Sequence, residues 1–186
     1  MLEAELKAAL SPEQAASLPE TLAALGFSEQ RAVWETDVYF HAPERDLRQT
    51  DEALRLRMVR PWPDGPEQSC ITYKGPKLDA VSSTRRELET TLGDADVMRA
   101  LLEALGYRAV PPVSKLRRSF TRGTQTVCLD TVDGLGPYLE LETILPDGAD
   151  GSAATAQLLS LLDTLGVARR ALTRDSYLDL LMTDRC

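Results

Sequence analysis

Acidic and basic side chains recur at a spacing of two along this chain. Glu3, Glu5 and Lys7 form one such set, Arg55 with Arg57 another, and Thr72 with Lys74 a third. Arg85, Glu87 and Glu89 follow, then Lys115 with Arg117, and last Glu140 with Glu142. Residues two apart on an extended strand share a face. Each set therefore projects as a row, with apolar residues such as Leu2, Ala4 and Leu6 or Leu139 and Leu141 on the opposite face. Rows of Arg and Lys suit phosphate oxygens, which a guanidinium fork grips two at a time. Paired carboxylates offer hard oxygen ligands to Mg²⁺ or Mn²⁺. The chemistry that uses both is that of a polyphosphate with its divalent metal.

Strands must carry these rows. Candidate strands cover 2–9, 32–41, 53–60, 69–74, 83–92, 113–121, 124–132 and 138–145, with a Pro-rich turn at 61–66 and a tight hairpin at 122–124. Three helices are expected between them. Ser11-Pro12-Glu13-Gln14 reads as a capping box leading into Leu18, Leu22 and Leu25, with Pro19 expected to kink or split the helix. Asp94 or Asp96 is expected to cap a helix carrying Val97, Leu101, Leu102 and Leu105, and Ser152 one carrying Leu158, Leu161, Leu162 and Leu165. Each ends in Leu-Gly followed by an apolar residue, the pattern of a left-handed C-terminal cap. Eight strands with interspersed helices predict an α+β fold whose antiparallel sheet is large enough to close. Periodicity alone leaves two readings of the charged faces. They are the wet side of an open sheet, or the polar interior of a barrel whose apolar outer faces meet the helices.

The 186 residues suit a single domain over 1–186, without a linker or a low-complexity break. A 43% apolar share allows a sizeable core. The balance of 21 Lys+Arg against 29 Asp+Glu, net −8, argues against nucleic acid or an anionic membrane as partner. The apolar runs are too short for a membrane span, and the first residues lack the pattern of a secretory signal. Cys70, Cys128 and Cys186 are too scattered for a disulfide framework or a zinc site, which fits a reducing, cytoplasmic setting. Cys70 and Cys128 read as small buried side chains.

Several blocks, in order along nearly the whole chain, resemble the CYTH superfamily, the triphosphate tunnel metalloenzymes. Glu3-Ala4-Glu5-Leu6-Lys7 resembles its ExExK signature, and Thr36-Asp37-Val38-Tyr39-Phe40 its D-x-Y-F strand. Residues 51–57 are similar to the ALRLR block, 72–77 to TYKGPK, 84–89 to R-x-E-x-E and 115–117 to KxR. Residues 129–142 resemble the LDxVxGLGxxxExE segment, and Ser176-Tyr177-Leu178-Asp179-Leu180-Leu181 the C-terminal SYxxLL. Arg86 departs from relatives, which often carry an acid there; alternation turns it away from Glu87.

The resemblance implies a closed eight-stranded antiparallel β-barrel, a triphosphate tunnel, with helices packed outside. It implies that Glu3, Glu5, Glu140 and Glu142 hold Mg²⁺ or Mn²⁺, with Glu87, Glu89 and Asp130 as further ligands or as orienters. Arg55, Arg57, Lys74, Lys115, Arg117 and Arg85 would grip a triphosphate, and Lys7 with Glu5 would act at the reacting centre. The implied activity is that of a class IV adenylate cyclase, making cyclic AMP and pyrophosphate from ATP. The alternatives are hydrolysis of inorganic or thiamine triphosphate, and a non-catalytic nucleotide- or polyphosphate-binding module. A homodimer is the expected oligomer. Asp37 and Tyr39 share a face of undetermined orientation, and Tyr177 is implied to close the tunnel. His41 and Trp34 read as structural, and Trp62 as a turn residue within reach of the tunnel mouth. The proposed lumen would hold seven bases and seven acids, so the acidic excess would lie outside it.

Overall fold

The computed structural model describes residues 2–78, 80–146, 149 and 151–183, which leaves Cys186 outside the described residues. The chain opens with β1 (Leu2–Ala9) and α1 (Pro12–Ala24), followed by a two-residue β2 (Ser28–Glu29). Next come β3 (Val33–His41), β4 (Ala53–Pro61), β5 (Gln68–Lys74), β6 (Arg85–Leu92) and α2 (Ala95–Ala104). A short β7 (Arg108–Ala109) leads into β8 (Val113–Arg122), β9 (Gln125–Val132) and β10 (Gly136–Leu145). The C-terminal part is α3 (Gly151–Thr164), β11 (Leu172–Thr173) and α4 (Tyr177–Thr183).

Eight long strands close on themselves in the order β1-β10-β9-β8-β3-β4-β5-β6, every pair antiparallel. The closing seam is narrow. β6 pairs with β1 only at Leu2–Arg86 and Glu3–Arg85. Backbone groups left on that edge need other partners. The Ser83 amide donates to the Glu5 carbonyl, and β11 pairs beside Lys7 and Ala8. That pairing brings the C-terminal residues 174–179 to the mouth of the barrel.

Alternation then sorts the side chains. Ala4, Leu6 and Ala8 of β1, Phe120 of β8, Val127 and Leu129 of β9, and Leu139 and Leu141 of β10 face outward. They pack with Leu18 and Leu22 of α1 and with Leu158, Leu161 and Leu162 of α3. Val38 and Leu56 meet Leu102 of α2 in a second cluster. Tyr177 of α4 joins Val113, Val132 and Tyr138 in a third, across one end of the ring. With the apolar faces committed outward, the charged rows have only the interior, and the barrel with its helices outside is the predicted architecture.

Several expectations need correction. Pro19 does not split α1, which continues through it; the bond lost there is outweighed by burial of Leu18 and Leu22 on either side. Ser152 lies inside α3, which begins at Gly151. On α2 it is Leu102 that is buried, while Val97, Leu101 and Leu105 stay exposed, because the helix meets the sheet through Ala95, Met98 and Leu102. The fourth helix and the three two-residue strands were not foreseen, being too short to show a period. The Ser11 capping box and the Asp94 cap both form. All three Leu-Gly helix ends also form as expected: Gly26, Gly106 and Gly166 have φ of +80°, +91° and +70°. The residue after each Gly donates to a carbonyl five residues back, Phe27 to Leu22, Tyr107 to Leu102 and Val167 to Leu162.

Leu158 has no solvent exposure between α3 and the barrel wall. Leu158→Ala is expected to cost about 2–5 kcal/mol, for the lost transfer energy and the cavity left behind. The measurement is a urea midpoint shift at constant m; a shift below about 0.5 kcal/mol would show that α3 is not part of the barrel's core.

Candidate active site

The barrel encloses a cavity of about 570 Å³. Lining it are Glu3, Glu5 and Lys7 from β1, Arg55 and Arg57 from β4, Lys74 from β5, and Arg85, Glu87 and Glu89 from β6. Lys115 and Arg117 of β8 and Glu140 and Glu142 of β10 complete the expected set. Asp130 is the exception: it is buried behind the lining, where it accepts from Arg117 at 2.7 and 2.6 Å.

β3 contributes acids that the rows of charge did not single out. Asp37 accepts from Arg57 at 2.6 and 2.8 Å, with Lys115 at 3.4 Å and Arg55 at 3.8 Å. Glu35, absent from the expected site, lies 3.0 Å from Lys115 and 3.2 Å from Arg57. Its signal was present, since Glu35, Asp37 and Tyr39 alternate as the other rows do. Of these two only Asp37 lines the cavity; with Asp51, Glu52 and Asp179 added to the acids and Arg48, Lys77 and Arg174 to the bases, the charged lining is larger than expected and still balanced, ten acids against ten bases.

Buried ions must be paired, and most are. Burial alone would raise Glu35, but Arg57, Lys115 and Arg117 outweigh it and hold it at about 2. Asp37 is likewise held well below the usual range against burial by Arg57, Lys115 and Arg55. Glu140 contacts Arg117 closely and Lys7 at 3.4 Å, and these cations keep it well below its ordinary value despite burial. Lys7 is held well above its ordinary value, against burial, by Glu5 and Glu140. Lys74 pairs with Glu87 at 2.5 Å, and Glu89 accepts from Thr72 at 2.7 Å.

Three carboxylates are arranged differently. One oxygen each of Glu3, Glu5 and Glu142 lies within 4.8 Å of the others. Burial, then Glu87, push Glu3 up to about 7, with Lys74 opposing. Burial pushes Glu142 up to about 8, against Arg117 at 3.6 Å and with help from Glu3, Glu140 and Glu5. A crowd of hard oxygens short of positive charge fits a divalent cation such as Mg²⁺ or Mn²⁺. Glu140, expected beside them, is instead engaged by Arg117 and Lys7.

On the basic side, Arg55 is buried, and its Nε has no hydrogen-bond partner. Arg85 donates to the Ser83 and Gly75 carbonyls at 3.5 Å. Tyr39, His41, Leu47, Val110 and Leu178 add a less polar stretch to the lining. His41, read as structural, thus reaches the cavity from the end of β3. Trp62 is 49% exposed and is not part of the lining. Cys70 and Cys128 pair with Arg57 and Glu140 in the sheet register, so their thiols belong to the lumen face rather than to the apolar shell. Burial raises both thiols.

The raised carboxylates fix the sign of a pH effect. Above about pH 4.5 the unfolded chain has released protons that folded Glu3 and Glu142 still hold, so stability from these groups falls as pH rises through 7 and 8. The melting temperature of the metal-free protein is expected to drop between pH 5 and 8.5, and millimolar Mg²⁺ or Mn²⁺ to restore it most at the higher pH. Calorimetry at pH 6 in buffers of different ionisation enthalpy should show proton release on metal binding. A flat melting profile, unmoved by divalent cations, would remove the trio as a metal site.

The sequence signature of the CYTH domain matches residues 1–177. A Methanocaldococcus jannaschii protein provisionally named an adenylate cyclase is 34% identical over 180 residues, covering 97% of this chain and 98% of its own. An Aeromonas hydrophila protein named adenylate cyclase CyaB is 31% identical over 143 residues, 77% of this chain and 70% of that one. Among solved structures, the PH1819 protein from Pyrococcus horikoshii superposes with a TM-score of 0.89 at 37% identity, over 98% of this chain and 99% of the other. A domain match that spans nearly the whole chain, with relatives above 30% identity along most of their length, makes this protein a member of the CYTH domain family.

Proposed function

We propose that the protein is a divalent-metal-dependent enzyme acting on a small triphosphate, and that its reaction is the cyclisation of ATP to cyclic AMP and pyrophosphate. The observation that carries the reading is one cavity, open at the barrel's mouth, in which an electron-rich carboxylate trio faces a wall of buried cations. The adenylate cyclase names of the two relatives support the choice of reaction. The less polar stretch at Tyr39, His41, Leu47, Val110 and Leu178 supports a substrate with a nucleobase over bare triphosphate.

In this reading Arg55, with its unpartnered Nε, and Arg85 take phosphate oxygens first. Lys74, Lys115, Arg57 and Arg117 add positive charge while already fixed by carboxylates. Such fixed cations need little reorganisation when charge develops on the phosphoryl oxygens. Glu3, Glu5 and Glu142 would hold Mg²⁺ or Mn²⁺, which when bound supplies further positive charge at the reacting phosphate. Lys7, buried between Glu5 and Glu140 at 3.4 Å from each, would serve as a fixed cation beside the reacting oxygens. Cyclisation forms a bond from the ribose 3′-oxygen to the α-phosphorus and breaks the bond from that phosphorus to the oxygen bridging to the β-phosphate; pyrophosphate leaves, and the hydroxyl proton is released to it or to water. Hydrolysis would use the same cations with water attacking the terminal phosphorus.

The test is a product assay on ATP, GTP, thiamine triphosphate and inorganic triphosphate with Mg²⁺ or Mn²⁺, measuring cyclic nucleotide and phosphate separately. Cyclic AMP from ATP is the expected product. Phosphate release alone would reassign the reaction as triphosphate hydrolysis, and no product from any of the four would leave a binding module. Glu142→Gln is expected to lose turnover yet melt higher than the parent at pH 8, because removing one of three crowded carboxylates relieves repulsion. Arg55→Ala is expected to raise KM by about tenfold or more, the scale of one charge-assisted hydrogen bond; unchanged kinetics would place Arg55 outside the substrate's reach.

A further inference from the structure

Tyr177 begins α4, outside the strand ring, yet its side chain is only 4% exposed and reaches the inner wall. Three contacts meet on it. Its hydroxyl donates to Asp130 Oδ2 at 2.9 Å. The Lys7 ammonium lies 4.5 Å from its ring centroid and the Lys115 ammonium 5.3 Å. The ring is steadied from the side by Tyr138, edge-on at 5.2 Å and 74°. Lys7 also donates to the Asp175 carbonyl, two residues earlier in the same segment.

Apolar packing at this end of the barrel would be met by phenylalanine. The hydroxyl has a narrower use. Asp130 does not line the cavity, and its carboxylate is divided between Arg117 and Tyr177. A second donor on Oδ2 fixes the plane of that carboxylate, and the paired bonds then fix the guanidinium plane of Arg117. The ring face adds a further constraint on two ammonium groups that carboxylates already hold, Lys7 by Glu5 and Glu140 and Lys115 by Glu35 and Asp37.

We propose that Tyr177 is a positioning residue for the proposed triphosphate reaction, orienting Arg117 through Asp130 and Lys7 with Lys115 through its ring. The inference rests on the triphosphate reading given above. It divides one side chain into two separable effects. The hydroxyl acts on Arg117 alone, and the ring acts on the two lysines. It also makes the C-terminal segment part of the site although α4 lies outside the strand ring.

The test compares Tyr177→Phe and Tyr177→Leu in the full chain. It measures KM and kcat for the triphosphate that the wild type turns over, the dissociation constant for inorganic triphosphate, and the melting temperature. Tyr177→Phe is expected to raise KM and the dissociation constant by about tenfold, the scale of a hydrogen bond to a charged group. Its kcat should stay close to the parent value, and its melting temperature should fall by only a few degrees, for the one buried hydrogen bond lost. In an Arg117→Lys background the same change should add no more than about twofold, since the geometry it protects is already lost. Tyr177→Leu should lose further affinity, because two ammonium groups lose their platform.

A Tyr177→Phe protein that matches the parent in KM and affinity overturns the proposal. So does an equal effect in the parent and Arg117→Lys backgrounds, which would mean that Arg117 is not the route. If Tyr177→Leu does not fold, the phenylalanine variant and the double-mutant cycle still decide. Failure of the wild type to bind or turn over any triphosphate defeats the functional reading itself, a result distinct from a normal wild type with an unaffected Tyr177→Phe.

Discussion

Burying charge is costly unless the charge is paired, and in this protein the closing of the barrel forces that condition on every inward strand face. Once Ala4, Leu6, Leu139 and Leu141 are committed to the helices outside, alternation leaves the rows of Arg, Lys, Glu and Asp no other place. The interior solves the problem strand by strand. Arg57 and Lys115 meet Asp37 and Glu35, Arg117 meets Asp130 and Glu140, and Lys74 meets Glu87. The pairing cations come from strands adjacent or nearly so, so the network also ties the barrel wall together across its hydrogen-bond ladders.

The pairing is incomplete at one place, and that place is informative. The charged lining is even, ten acids against ten bases, so the shortfall of positive charge is local: Glu3 and Glu142 have the raised values of about 7 and 8. Both belong to the trio with Glu5. A protein selected for stability alone would not keep this arrangement; functional sites often do keep such unfavourable groups. The same accounting explains why Glu140 and Glu142, two apart on one strand, shift in opposite directions. Glu140 has Arg117 and Lys7 against it, whereas Glu142 has Arg117 at 3.6 Å and three carboxylates nearby.

The wall beyond the lining has a part in this as well. Asp130 is fully engaged behind Arg117, and the narrow β1–β6 seam is completed by Ser83 and β11. That completion carries the chain from Thr173 into Asp175 and Tyr177, so the repair of an unpaired sheet edge is also what delivers the C-terminal residues to Lys7. The fold and the site are thus linked through backbone satisfaction as much as through side-chain chemistry.

The amino-acid sequence by itself determined the eight long strands, the caps of α1 and α2, the three Leu-Gly helix ends and the side-chain rows. All of these are local, set by alternation, capping hydrogen bonds and backbone conformation. It also carried, through ordered motif blocks, the family and with it the closed barrel. Periodicity could not choose between a wet face and a lumen, because an amphipathic strand looks the same in either. Tertiary structure made that choice, and it decided the fate of individual acids. Glu35 and Asp37 became inward partners of Arg57 and Lys115. Asp130 moved behind the lining, Glu140 was taken by Arg117, and Glu3, Glu5 and Glu142 were left together. Which carboxylate is neutralised and which stays crowded depends on distances between strands far apart in sequence. Coulomb interactions depend on those distances, and spacing along one strand does not encode them.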